Sequence, residues 1–140
     1  MHDTVHPPEG DPECPDWLDD ESKAAWAYVV PLLRAMGVLT RIDGNALTRY
    51  CRTWARWKKM EQFIDKHGET YPLKDEKGRI KCLQQFPQVS IAHRAALLLG
   101  KLEQEFGLTP SARSRINLAA SQVNAPQTGK SRFFGANASA

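Results

Sequence analysis

The sequence predicts a mainly α fold, three to four helices built around a long central helix, with a short β-hairpin between helices 2 and 3. Three observations lead there. Apolar residues recur at the helical period in three separate stretches. Gly37, Gly68 and Gly107 stand where each stretch should stop. Between residues 69 and 84 the period is lost and turn residues take over.

The chain has 140 residues, 41% hydrophobic and 25% charged, which suits one domain with a core and leaves little room for a second. The expected division is a flexible acidic lead over residues 1–15, a helical core over 16–120, and a disordered C-terminal tail over 121–140. The lead is rich in proline and acids. The tail is polar, rich in Gly, Ser, Asn and Ala, and without period.

The first helix is expected from Asp19. Asp19, Asp20 and Glu21 supply an N-cap and first-turn acids that complement the helix dipole. Trp26, Val29, Val30 and Leu33 follow at i, i+3, i+4, i+7, and Gly37 is the stop. Pro31 removes one backbone hydrogen bond inside this run and should kink the helix or divide it.

Thr40 opens the second helix, whose stripe is Leu47, Tyr50, Cys51, Trp54, Trp57 and Ile64, ending near Gly68. It is about 25 residues, or roughly 37 Å. A helix of that length exceeds what the first helix alone can cover, so part of its apolar face should bury against another copy of the chain. Trp54, Trp57, Leu98 and Leu102 are the expected oligomer interface.

Thr70–Leu73 and Arg79–Leu83 flank Asp75-Glu76-Lys77-Gly78, the pattern of a hairpin with Gly78 at the residue that most often needs positive φ. Pro72 implies an edge or irregular strand. The third helix starts at Pro87 and carries Ile91, Ala95, Leu98, Leu99, Leu102 and Phe106. Thr109-Pro110 should then cap and open a short fourth helix near residues 110–120.

Charge is distributed unevenly. Residues 1–30 hold eight acids against one base, 31–66 eight bases against three acids, and 67–140 ten against five, giving −7, +5 and +5 within a total of +3. A basic body behind an acidic head attracts a polyanion. The cations concentrate on helix 2, where Arg49, Arg52, Arg56 and Lys59 fall within an arc of about 80° opposite the apolar stripe. Arginine's planar fork of donors suits phosphate. By themselves these residues leave two readings open, a DNA-binding face or a solvated one. Arg113 and Arg115 form a second basic group with the same two readings. Arg132, Phe133 and Phe134 set two aromatics beside cations in the tail, either for docking on a partner or nucleic acid or for packing on their own domain.

Catalysis finds little support. Ser90 and His93 share a helix face, but no acid orients the histidine and no nucleophile elbow precedes the serine. Thr128-Gly129-Lys130-Ser131 lacks the upstream glycine of a phosphate-binding loop. Cys14, Cys51 and Cys82 contain no paired spacing, and the four histidines are scattered, so no metal and no cofactor is expected. The N-terminus has neither a basic nor an apolar signal region, and no apolar run is long enough to span a bilayer.

Several runs, taken in series, resemble the small subunits of tailed-phage terminases. They are Pro15-Asp16-Trp17-Leu18-Asp19-Asp20-Glu21-Ser22-Lys23-Ala24-Ala25-Trp26, Val30-Pro31, Gly37-Val38-Leu39-Thr40 and Tyr50-Cys51-Arg52-Thr53-Trp54-Ala55-Arg56-Trp57. Val89-Ser90-Ile91-Ala92 and Glu105-Phe106-Gly107-Leu108-Thr109-Pro110-Ser111-Ala112-Arg113-Ser114-Arg115 extend the likeness to about residue 118. The family often has Asn before the proline that opens helix 3, where this chain has Phe86, and the hairpin is less well matched.

The resemblance implies a homo-oligomeric ring in the host bacterial cytoplasm. Such a ring binds double-stranded viral DNA near the packaging start and delivers it to the terminase large subunit, which carries the ATPase and nuclease. On that expectation Arg132, Phe133 and Phe134 are the large-subunit contact. Two other readings compete: a helix-turn-helix transcription regulator, since a short turn joins helix 1 to a basic helix 2, and a structural phage adaptor that binds no DNA. A discrete dimer on a palindrome would favour the first of these, and indifference to duplex the second.

Overall fold

The computed structural model describes residues 10–39 and 43–115. The element order is α1 (Asp20–Ala35), α2 (Gly44–His67), β1 (Thr70–Lys74), β2 (Ile80–Gln85) and α3 (Pro87–Phe106). The mainly helical fold with a hairpin between the second and third helices is therefore what the chain adopts.

Asp19 takes the N-cap position of α1, and its carbonyl accepts the Lys23 N–H at 2.9 Å. Ser22, Ala25, Trp26, Val29, Val30 and Leu33 are buried, steps of three and four that put them on one face. The helix is not divided at Pro31. That residue sits on the exposed side, as does Ala27, whose carbonyl loses its i+4 donor there and can turn to water instead. At the other end the Gly37 N–H returns to Arg34 and the Val38 N–H to Leu33, the paired closure of a Schellman end.

The described part of α2 begins at Gly44, later than the expected Thr40, which lies outside the described residues. Gly44 and Asn45 are weak helix formers, and strong ones begin only at Ala46-Leu47. The helix then runs 24 residues, to His67. It packs against both of the others and runs antiparallel to α3. Asp19 and Glu21, at the start of α1, touch Arg52 and Lys58 in mid-α2. Phe86, ahead of α3, stacks edge-on against Phe63 near the end of α2, while Phe106 at the far end of α3 meets Tyr50.

The core joins Leu18, Trp26, Val29, Val30 and Leu33 to Leu47, Cys51 and Phe106, with Tyr50 and Trp54 partly buried against it. Leu33, Leu47 and Cys51 are wholly removed from solvent, and each leucine so buried contributes about 1.5–3 kcal/mol before entropy is counted. On α3 the buried residues Ala92, Ala95, Leu99, Leu102 and Phe106 repeat at alternate steps of three and four. The α3 helix thus covers surface on α2 that the first helix could not reach.

Pro87 is at the start of α3, and Gly107 closes it in the left-handed region at φ 73°, a conformation costly for any residue with a Cβ. Thr109 then accepts the Ala112 N–H on its hydroxyl, and residues 110–115 are helical, so the capped fourth helix is present as far as the described residues go.

The hairpin is antiparallel, pairing Thr70 with Gln85 through Leu73 with Cys82, with an irregularity after Leu73. Its turn is organised by Asp75, whose carboxylate accepts the N–H groups of Lys77 and Arg79 and pairs with the Arg79 side chain. Gly78 has φ 79°, as its place in the turn demands. Every residue of β2 is exposed. What fastens the hairpin to the helices is Phe86, against Phe63 at 5.1 Å and Tyr71 at 4.8 Å.

Of the N-terminal lead, residues 10–15 are described. Asp11 pairs with Arg34, Pro12 is buried, and Cys14 packs against the core. Among the described residues no helix is long and apolar enough to cross a membrane.

Candidate nucleic-acid interface

The helical period of α2 aligns Arg49, Arg52, Arg56 and Lys59 on one side, and all four are exposed. This side is one wall of a groove rather than an open face. The facing wall comes from α3, where Ile91, Arg94, Ala95 and Leu98 complete a groove of about 680 Å³ with Asp19, Arg52, Arg56, Lys59 and Met60. Small residues allow it. Ala95 on α3 and Thr53 and Ala55 on α2 are small, buried and line the groove beside the cations.

The cations differ in their partners. Arg52 donates to Asp19 at 3.1 Å, and its guanidinium carbon lies 5.8 Å from the centre of the Trp17 ring. The Ser22 hydroxyl does most to hold the Asp19 carboxyl below its ordinary value, working against desolvation, and Arg52 adds to the lowering. Lys58 pairs with Glu21 at 2.9 Å and lies over Trp54. Arg49, Arg56 and Lys59 have no acidic partner among the described residues. Among the described residues Arg94 spends only its Nε, on the Ser90 carbonyl of its own helix.

Arg94 was missed by sequence reading because a lone arginine on an apolar helix forms no stripe. Only the packing of α3 on α2 brings it to the groove. Arg113 and Arg115 are exposed on the helical start beyond α3, with Arg113 donating to the Leu108 carbonyl. They line neither wall of the groove. Arg132, Phe133 and Phe134 lie outside the described residues.

The four residues expected at an oligomer interface fall into three states. Trp54 and Trp57 are half-buried, Leu98 is 46% exposed beside Leu97 at 58%, and Leu102 is buried within its own subunit. Leu102 therefore packs the chain it belongs to. Ser90 and His93 do sit close together, but the Ser90 hydroxyl turns to Gln85, and no carboxylate bonds His93 among the described residues. No group of side chains able to hold a metal ion occurs among the described residues. Cys51 is a buried thiol pushed up to about 12 by desolvation, so it has little thiolate at neutral pH.

Neither the curated proteins nor the solved structures compared with this chain gave a match. A family model described as the small subunit of phage terminase matches residues 22–122, from the first turn of α1 through the hairpin and α3 into the segment beyond. The chain accordingly belongs to the phage terminase small-subunit family.

Proposed function

We propose that the chain recognises double-stranded viral DNA, assembles into a homo-oligomeric ring, and hands the genome to the terminase large subunit in the cytoplasm of the infected host. Family membership supports the general role in genome packaging, and the ATPase of such systems belongs to the large subunit, so the small subunit works by binding. One observation supports the DNA reading above all. Arg56 and Lys59, without acidic partners among the described residues, line the same groove as Arg94, which puts three positive charges side by side for a polyanion.

A ring strengthens such a site without new contacts, because several subunits each neutralising one or two phosphates act together. Trp54, Trp57 and Leu98 are its proposed inter-subunit surface. Arg49, at the start of the stripe, and Arg52 belong to the same basic face, while Arg113 and Arg115 form a second, outlying cationic group for the same duplex. The proposed large-subunit contact is Arg132, Phe133 and Phe134.

The test is the salt dependence of duplex binding. Affinity should fall with salt at a log–log slope near −0.9 for each phosphate neutralised. Replacing Arg56 and Lys59 together by alanine should flatten that slope in a folded protein. A folded double variant with wild-type affinity and slope would place the DNA surface elsewhere.

A further inference from the structure

The basic face of α2 is electrically uneven along its length. In its middle Arg52, though exposed, is already paired with the Asp19 carboxylate at 3.1 Å and lies beside the Trp17 ring. Asp19 is no loose surface acid. It also accepts the hydroxyl of Ser22, which is fully buried, so the first turn of α1 fixes the carboxylate on the wall of the groove. One turn further along α2, Arg56 and Lys59 stand without acidic partners among the described residues, and Arg94 enters from the facing helix.

An incoming phosphodiester meets different conditions in these two places. At Arg52 it must compete with a carboxylate that is already seated and bonded. At Arg56, Lys59 and Arg94 it relieves the mutual repulsion of like charges that share one groove.

We propose that Arg56, Lys59 and Arg94 form a phosphodiester subsite shared between α2 and α3, and that Asp19 closes Arg52 to DNA phosphate. The proposal rests on the reading of this groove as a DNA surface and narrows it, by adding a residue from α3 and removing one from the stripe. Asp19 then acts as an internal counter-anion that sets how far along α2 the DNA backbone is held.

The test uses the full chain and a fluorescein-labelled duplex, with affinity measured between about 50 and 200 mM salt. Arg94→Ala should flatten the slope by up to about 0.9, the contribution of one phosphate, and Arg52→Ala should leave it unchanged. Asp19→Asn should steepen the slope by about 0.9, because Arg52 is released to a further phosphate. Adding Arg52→Ala to Asp19→Asn should abolish that gain. Asparagine still accepts the Ser22 hydroxyl, so the helix start is kept, and circular dichroism checks the fold of each variant. Glu21→Gln, whose partner Lys58 is outside the groove, serves as the control and should keep the wild-type slope.

A wild-type slope in Arg94→Ala, or an unchanged or shallower slope in Asp19→Asn, overturns the proposal. These outcomes are separate from failure of the DNA reading itself, which the Arg56/Lys59 double variant reports.

Discussion

The two halves of α2 are built differently. Every buried residue of the helix, Leu47, Thr48, Cys51, Thr53 and Ala55, lies at or before Ala55. From Arg56 to His67 none is buried, and Trp57, Met60, Phe63 and Ile64 are only half covered. The first half is held between α1 and the end of α3. The second carries Arg56 and Lys59, which have no acidic partner among the described residues, together with the anchor of the hairpin and apolar surface left open. One continuous helix thus joins a part that holds the fold to a part with surface to offer, and substitutions should behave differently on either side of Ala55.

The sharpest contrast should come from Leu47→Ala, which empties a site with no solvent contact. It should cost about 2–5 kcal/mol in urea unfolding. A loss below about 1 kcal/mol would mean that the first half is not the mechanical centre.

Phe63→Ala, in the second half, should cost less, about 1–3 kcal/mol. Its effect should also be local, because Phe63 meets Phe86 and His67 where the hairpin joins the helices. Hydrogen exchange would show this as lost protection across residues 70–85 with the helices unchanged.

Alkaline pH should separate the halves as well. Burial raises Tyr50 and Cys51, both in the first half, to about 12 from ordinary values of 10.0 and 9.0. A raised acid keeps its proton longer in the folded state than in the unfolded one. Stability is therefore unaffected below the unfolded values and falls as pH climbs from there toward 12. Tyr50→Phe keeps the ring against Phe106 and should make that fall less steep. An identical alkaline profile in the variant would mean that Tyr50 is not titrating from a buried place.

The smallest change in stability should be that of the Arg56→Ala, Lys59→Ala pair, within about 0.5 kcal/mol. Neither side chain has an acidic partner to lose among the described residues. A large loss would break the comparison, by showing that the second half also holds the fold.

Much of this architecture was legible in the sequence, because period and punctuation are local properties. Pro87 and Gly107 mark the bounds of α3, and Asp75 through Gly78 mark the hairpin turn. The basic stripe of α2 was legible for the same reason. What stayed hidden depends on which elements meet. Arg94 became visible as a groove residue only once α3 lay against α2. Arg52 showed as one of four equivalent cations, although Asp19, distant in sequence, neutralises it. Leu98 and Leu102 looked alike on a helical wheel, yet α2 leaves the first exposed and the second buried. Phe86 shows the reverse: at the N-cap of α3 it offers no side-chain cap and instead fastens the hairpin through its ring.

The claim on which the account turns is that the open half of α2 serves both assembly and DNA. Native mass determination of the full chain at low ionic strength, with and without a duplex, tests it most directly. The expected result is a single assembly of several copies that takes up duplex. A lone polypeptide whose mass is unchanged by duplex would contradict it.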